Sequence, residues 1–469
     1  MGISLLCSCF RSNNSKESKH CNKKIPNFIT MDSLIRKTNC KYLLCRIIIP
    51  FRLIDYRRST IIKEIAYDNV KILRPTSVDS IANCICYAKD NGFKITTISG
   101  GHSHYFMKNY PKLHYEKLIV IDTSKMTKIK KIDDNIINIQ AGVTSGMIRK
   151  FNKKLKNQWC LYGHCDTVGL GFWINGGQFS GINWYGAFKK GVCGSDMIQR
   201  INYIDADGKY QSIDKSSGKI FGIMKMIAGG FGVIVSLDIK LISGSMPKTK
   251  LHIVNCNKEE LLLTFDKLSY CKVLNGKNII TGFFLDKGGV MLLSCYDKSF
   301  KEDIGKIIKE ELGLEINRIR TCFGSNYMFY PDWSKAYYLN FKNNFNGSDY
   351  IIDNKHQHIV ENLIETNYVS NDFVLGIFPN VKLFANKSKY QLSDHGIYIS
   401  MVYHIDDTKY YKIDDYMKRY DPIRYFNTPT HNVDYSEYFK FSNISYNQIL
   451  EAKLIYDPRD MFVTRCSFT

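Results

Sequence analysis

Three glycine-rich loops lie at strand ends between residues 99 and 234, and no other feature limits the fold of this chain as strongly. The first is Ser99-Gly100-Gly101-His102-Ser103. The second spans residues 163–178, where Gly163, Gly169, Gly171, Gly176 and Gly177 surround Cys165. The third, Gly229-Gly230-Phe231-Gly232, feeds a β-branched run that begins at Val233. Without a Cβ, a glycine backbone approaches a bound anion or a flat ring closely. A tight turn accounts for any one of these loops alone. Together they point to a large cofactor carrying a pyrophosphate and a planar ring. The G-x-G-x-x-G fingerprint that opens a helix in doubly wound dinucleotide folds is absent from the first loop.

The segments around the loops alternate. Residues 70–75 read as a strand stopped by Pro75. Residues 77–91 carry a helical period, with Val78, Ile81, Ala82, Ile85 and Ala88 on one face, Thr76 or Ser77 as cap and Gly92 as stop. Strands are expected at 93–98, 118–122 and 136–141, and a helix at 144–155 capped by Thr144. A strand at 197–205 ends in the turn Asp205-Ala206-Asp207-Gly208, and another covers 231–242. Beyond about residue 246 the texture changes, with a helix at 258–267 and strands at 278–285 and 290–294. The mixed order favours an α+β architecture over a doubly wound sheet.

The charge balance is basic, 65 Lys+Arg against 44 Asp+Glu, and residues 1–69 hold 13 of the former and 5 of the latter. The remaining excess is dispersed, in a chain rich in Lys, Asn and Ile. Non-specific attraction to polyanions follows. No nucleic-acid-binding pattern accompanies it, so no specific nucleic-acid partner is expected. With 44% hydrophobic and 13% aromatic residues the chain has material for a large core. No apolar run reaches membrane-spanning length; the nearest, 42–54, is cut by Arg46 and Arg52.

Fifteen cysteines follow no paired spacing, and free thiols in a reducing compartment are expected. The start lacks a charged n-region and has too short an apolar stretch for a secretory signal. Gly2 with Cys7 and Cys9 has some character of an acylation site. Leu6, however, stands where that pattern wants Ser or Thr, so an untethered, cytoplasmic protein is the expectation. Residues 10–40 read as a loose polar arm.

Taken in order, these motifs resemble the FAD-linked oxidases of the vanillyl-alcohol-oxidase superfamily, and within it the berberine-bridge-enzyme-like branch. The resemblance is carried by Arg74-Pro75 and the helix after it, the Ser-Gly-Gly-His-Ser loop, Gly163-His164-Cys165-x-x-Val168-Gly169-x-Gly171 and the Tyr185-Gly186 and Ser195-Asp196 region. It continues through Asp205 to Gly208, Gly229 to Ile234, and Lys453-x-x-Tyr456-Asp457-Pro458-x-x-x-Phe462. It covers residues 70–245 and 420–469 well and the middle weakly.

The resemblance implies an α+β PCMH-type FAD-binding domain built of two α+β subdomains, with an inserted α/β substrate domain of antiparallel sheet plus helices. The implied boundaries are a basic extension at 1–69, the FAD domain at 70–245, the substrate domain at 246–419 and a returning segment at 420–469. It implies that His102 and Cys165 bond covalently to the flavin, at the 8α carbon and at C6. Imidazole and thiolate are the nucleophiles such electrophilic ring positions call for. Ser99, Gly100, Gly101 and Ser103 would face the pyrophosphate. Gly163, Val168, Gly169, Gly171, Gly176 and Gly177 would line the dinucleotide. Gly229, Gly230, Gly232 and Val233 would lie near its adenine–ribose end, and Asn443 near the ring.

Departures fall where a substrate would bind. Ile98 replaces an Arg that often precedes the first loop, and Thr428 stands where relatives carry a tyrosine that helps deprotonate the substrate. Tyr425, Tyr403 and His404 are the remaining candidates for that proton. The implied activity is hydride transfer from an alcohol, sugar or amine carbon to flavin and then to O2, giving hydrogen peroxide, with a small-molecule substrate and O2 as partners. Two alternatives stay open: a dehydrogenase with a different acceptor, and a flavoprotein that keeps the fold without turnover. No metal site is expected, and the oligomeric state is left open.

Overall fold

In the computed structural model the described residues are 26–28, 70–100, 117–162, 168–169, 194–246, 248–254, 260, 262–263, 267, 279–286, 289–296, 302–315, 318–322, 345–353, 358–365, 373–382, 395–404, 415–420, 423–424 and 444–463. Strand β1 (Lys71–Leu73) is followed by helix α1 (Val78–Asn91), whose N-cap Ser77 accepts from the Ser80 amide at 3.3 Å. Gly92 ends the helix with φ 69°, its amide returning to the Ala88 carbonyl. Of the stripe read from the sequence, Ile81, Ile85 and Ala88 are buried and Val78 and Ala82 half-buried, and Cys84 joins the buried face. Strands β2 (Lys94–Ile98) and β3 (Leu118–Asp122) complete a parallel sheet in the order β1-β3-β2. All five residues of β3 are buried, which its unbroken apolar run, Leu118-Ile119-Val120-Ile121, requires of a central parallel strand.

The next unit is antiparallel. It comprises β4 (Ile129–Asp133), β5 (Ile136–Gln140), helix α2 (Ser145–Asn152), β6 (Gln158–Trp159), β7 (Ile198–Ile204), β8 (Tyr210–Asp214), helix α3 (Lys219–Ile227), β9 (Val233–Lys240) and β10 (Ile242–Ser243). Five of these strands pair in the order β4-β5-β9-β7-β8, and β10 pairs with β6. Helix α2 is shorter than its periodicity predicts, and Thr144 occupies the N-cap without a side-chain cap bond. The helix stops where Asn152 turns its amide onto the backbone of Cys160, donating to the carbonyl and accepting from the N–H, both at 2.8 Å.

One core joins the two units. The α1 stripe packs with Ile95, Ile119 and Ile121 of the parallel sheet, with Ile204, Val233 and Val235 of the antiparallel sheet, and with Met461 and Phe462. The last two residues come from the far end of the chain.

Beyond lie β11 (Lys248–Val254), β12 (Ile279–Asp286), β13 (Gly289–Tyr296), α4 (Ile304–Leu312), β14 (Arg318–Cys322), β15 (Phe345–Asp353), α5 (His358–Glu365), β16 (Phe373–Lys382), β17 (His395–His404) and β18 (Ile423–Arg424). The strands form one eight-stranded antiparallel sheet, ordered β14-β11-β13-β12-β16-β17-β15-β18. Helix α6 (Tyr446–Tyr456) opens on a Ser445–Gln448 capping box. The chain then returns to the free edge of β2, where Ile95 N–H donates to the Met461 carbonyl and Val463 N–H to the Ile95 carbonyl, both at 2.8 Å.

Two expectations are corrected here. Cys86 is disulfide-bonded, so the thiols are not all free; Cys84 and Cys160 are free and buried. The arm is also pinned at one point. Pro26 is buried, and the Phe28 ring lies 5.4 Å from that of Tyr87, with the Lys71 ammonium over both and over Phe93. Apolar and cation–π contact holds this short segment against α1 despite its polar neighbours. Among the described residues no helix is long and apolar enough to cross a membrane.

Candidate functional site: the glycine loops at the parallel-strand ends

Parallel pairing sends the carboxyl ends of β1, β2 and β3 to one edge, the edge at which open parallel sheets bind ligands. Three groups meet there. Arg74, just past β1, donates from Nε to Asp122 Oδ2 at 2.7 Å, and the Asp122 side chain is wholly buried. The other oxygen of Asp122 accepts from the Ser124 amide at 3.0 Å and caps the short turn Thr123–Lys125. Thr123 Oγ1 donates to the Ile98 carbonyl at 3.2 Å, tying the end of β2 to the end of β3.

The first glycine loop leaves this edge. Ser99 Oγ donates to the Ala141 carbonyl at 2.7 Å, and both Ser99 and Gly100 are buried. The second loop arrives against it. Gly169 forms an antiparallel bridge with Thr144, and the Val168 carbonyl accepts from the Ser145 amide at 2.9 Å. A Cβ on Gly169 would fall 2.3 Å from Ser99 Oγ and 2.4 Å from the Gly100 nitrogen, so only glycine closes this junction. The loop that carries His102 and the loop that carries Cys165 therefore touch at their described ends.

The third loop follows α3. Gly229 and Gly230 lie in the turn Ala228–Gly230, Gly230 is buried, and Val233 opens β9 within the core. Gly232 packs on β7; a Cβ there would sit 2.4 Å from the Ile204 carbonyl oxygen. Glycine at 232 thus serves strand–strand approach in the first instance.

Of the remaining candidates, Tyr403 and His404 are the last two residues of β17. Tyr403 is registered opposite Asn346 of β15, while Arg424 of β18 is opposite Tyr350. Those two register points are four residues apart on β15, about 13 Å at the usual strand rise. Gly101, His102, Ser103, Gly163, Cys165, Gly171, Gly176, Gly177, Tyr425 and Asn443 lie outside the described residues. Sequence reading missed the supports: Asp122, Thr123, Ala141 and Ser145 belong to no glycine motif. Asp122 ends β3 with Thr123 after it, Ala141 follows β5 and Ser145 opens α2, so only their places at element ends marked them.

These observations fit an anionic dinucleotide. Backbone without side chains lies at the ends of parallel strands, an arginine stands at the same edge, and a second loop approaches too closely for any Cβ. A parallel unit joined through one core to an antiparallel unit, with glycine loops at the junction, defines an α+β protein of the PCMH-type FAD-binding class. Residues 71–214 match the family model described as FAD binding domain. Berberine bridge enzyme-like 22 from Arabidopsis thaliana is 28% identical over 177 residues, which is 37% of this chain and 32% of that protein. Monolignol oxidoreductase AtBBE-like 13, also from Arabidopsis thaliana, is 25% identical over 174 residues, 36% of this chain and 32% of its own length. The chain thus spans about a third of the length of these curated relatives.

Among solved structures, a chitooligosaccharide oxidase superposes with a TM-score of 0.66 at 16% identity, over 87% of this chain and 95% of that one. Phl p 4, described as a grass pollen allergen with glucose dehydrogenase activity, superposes with a TM-score of 0.68 at 18% identity, over 87% and 94% of the two chains. The chain carries an FAD-binding domain and is similar to berberine-bridge-enzyme-like proteins, as its motifs led one to expect.

Proposed function

We propose that the chain is an FAD-dependent oxidoreductase that removes a hydride from a carbon bearing a hydroxyl or an amine, with O2 as final acceptor and hydrogen peroxide as product. The observation that carries this reading is the packing of Gly169 on Ser99 and Gly100 at the carboxyl ends of the parallel strands. It joins the two loops that carry His102 and Cys165. When bound, the flavin supplies a hydride acceptor, which no amino-acid side chain offers.

The residues of the chain then have distinct tasks. The backbone at Ser99, Gly100 and Val168, with Gly101 and Ser103, would hold the pyrophosphate and the dinucleotide. Gly229, Gly230 and Val233 would bound its other end. His102 and Cys165 would bond to the ring, fixing it from two loops. A side chain from β17 or from the residue after β18, Tyr403, His404 or Tyr425, would take the proton of the donor hydroxyl. The boundaries proposed are an FAD domain at 70–245, a substrate domain at 246–419 built on the eight-stranded sheet, and a segment at 420–469 that closes on the first.

A sugar or another alcohol is the favoured donor class, because similar proteins are described as a chitooligosaccharide oxidase, as having glucose dehydrogenase activity and as a monolignol oxidoreductase. The same descriptions include an oxidase and a dehydrogenase, so a non-O2 acceptor is the second reading. The disulfide at Cys86 favours an oxidising compartment over the cytoplasm expected from the N-terminal sequence.

The test is an anaerobic titration across oligosaccharides, monosaccharides, aromatic alcohols and amines, followed by admission of air. Bleaching of the flavin absorbance by an alcohol, with peroxide formed on aeration, is the expected result. Bleaching without peroxide selects the dehydrogenase. A flavin-loaded protein that no donor bleaches overturns the enzyme assignment and leaves a fold without turnover.

A further inference from the structure

The amphipathic logic of α6 is reversed around residue 453. Leu454 and Ile455 are 73% and 66% exposed, while the neighbouring Lys453 is only 5% exposed. A lysine is buried at such a cost only when its ammonium is paired and hydrogen-bonded. Here Lys453 Nζ donates to Asp457 Oδ2 at 2.6 Å, to the Phe462 carbonyl at 2.7 Å and to the Gly230 carbonyl at 2.8 Å, and Asp460 Oδ1 stands 3.2 Å away. Three N–H groups thus meet three oxygens from two distant parts of the chain. Asp457 is itself 1% exposed and accepts from the amides of Met461 and Phe462 at 2.9 and 2.8 Å. The turn between them closes from the Asp460 amide to the Asp457 carbonyl at 2.8 Å, with Pro458 inside it. Lys94 holds the same turn from the other side through Asp460.

Of the three oxygens on Lys453, two belong to the C-terminal turn and so secure that turn to its own helix. The third does not. Gly230 closes the turn Ala228–Gly230, one of the three glycine loops, and is 223 residues away in sequence. A glycine loop has no side chain with which to fix its own conformation, and its backbone freedom is high. A buried external donor whose N–H groups are all hydrogen-bonded can hold such a loop in one shape.

We propose that Lys453 is a positioning residue for the cofactor loop: its ammonium ties the Gly230 carbonyl to the C-terminal turn and keeps the Gly229–Gly230 backbone in the conformation that receives FAD. This rests on the reading of that loop as part of the FAD site. If only a fraction of the loops holds the receptive shape, the apparent affinity falls by that fraction. The loss is about tenfold or more for one hydrogen bond to a charged group.

The experiment compares the purified full-length protein with Lys453→Met and with the charge-neutral pair Lys453→Met/Asp457→Asn, which keeps an uncompensated carboxylate out of the core should the single variant fail to fold. Total flavin per chain is read from absorbance, and amide exchange is followed over residues 228–234 and, as a control, over α1. The expected result is a loss of flavin per chain relative to wild type, with faster exchange at 228–234 and unchanged exchange in α1. A variant that melts earlier yet carries wild-type flavin and protects 228–234 as before would give Lys453 a purely structural role and overturn the proposal. If the wild-type protein itself carries no flavin, the reading of the loop as a cofactor site falls, and the wild-type measurement alone reveals that outcome.

Discussion

Gly169 lies so close to Ser99 that a Cβ added to it would come within 2.3 Å of the Ser99 hydroxyl and 2.4 Å of the next backbone nitrogen. Contact of this kind between residues 70 positions apart makes two loops into one surface. Gly169→Ala is therefore expected to force the loops apart, with a destabilisation of about 1–3 kcal/mol, as overpacking usually costs. Adding Ser99→Ala removes the nearer atom but not the backbone nitrogen, so rescue is incomplete. Chemical denaturation of the single and double variants measures both effects, and a Gly169→Ala protein as stable as wild type would contradict the packing.

The proposed double covalent attachment makes a simple prediction for a denaturing gel. The wild-type band should fluoresce as flavin after acid treatment, and each of His102→Ala and Cys165→Ala should retain one bond. Only the combined variant should release the dye. A colourless wild-type band would remove the covalent linkage while leaving FAD binding intact.

The ion pair at the strand ends is expected to matter more for stability than a surface pair. Arg74→Met leaves the carboxylate of Asp122 buried without its cation, which costs about 3–5 kcal/mol. Arg74→Met with Asp122→Asn removes the charge as well and should recover part of that loss. Equal stability of the two variants in a urea melt would show that the charge of Asp122 is not the cause.

Acid stability carries a smaller signature at Asp207. The hydrogen bond from Lys89, at 2.5 Å, holds its carboxyl below the ordinary value; burial opposes it, and the charges of Lys89, Lys209 and Arg459 act with it. A depressed carboxyl contributes stability above its unfolded pKa and loses it as pH falls through its folded one. Lys89→Ala should raise the Asp207 midpoint in an NMR titration. Its stability deficit should shrink as the solution is acidified through that window, and a midpoint unmoved by the substitution would refute the coupling.

Thiol chemistry should separate Cys84, Cys86 and Cys160. Burial pushes Cys84 and Cys160 up to about 12, so neither forms a thiolate at neutral pH. Alkylation of the native, unreduced protein at pH 8 should leave both unlabelled, and Cys86 should be labelled only after reduction. Rapid native labelling of Cys160 would contradict its burial.

Local signals wrote much of the FAD-binding region plainly. Ser77 and Gly92 bracket α1 because a cap oxygen and a residue free to take positive φ act within one turn of the helix they end. The Val/Ile/Leu run of β3 and the Asp205–Gly208 turn are equally local. The overrun of α2 has a physical cause. Periodicity continues past Asn152, but the amide of that residue forms a better pair with the Cys160 backbone than the next helical turn provides. In the 246–419 region the long strands β15, β16 and β17 pair across wide sequence gaps, so their order in the sheet was not readable from any one of them.

What the sequence determined by itself was the set of parts: the capped helix, the β-branched strands, the glycine loops and the ordered motifs that mark a flavoprotein. Those depend on residues a few positions apart, where backbone preference and periodicity act directly. Tertiary structure alone decided how the parts meet. Gly169 against Ser99, Arg74 on Asp122 and Lys453 on the Gly230 carbonyl are contacts in which an empty Cβ position or a desolvated charge gains its meaning from a distant partner. Close packing and charge pairing are properties of a shared interior, and the interior exists only once the chain has folded around it.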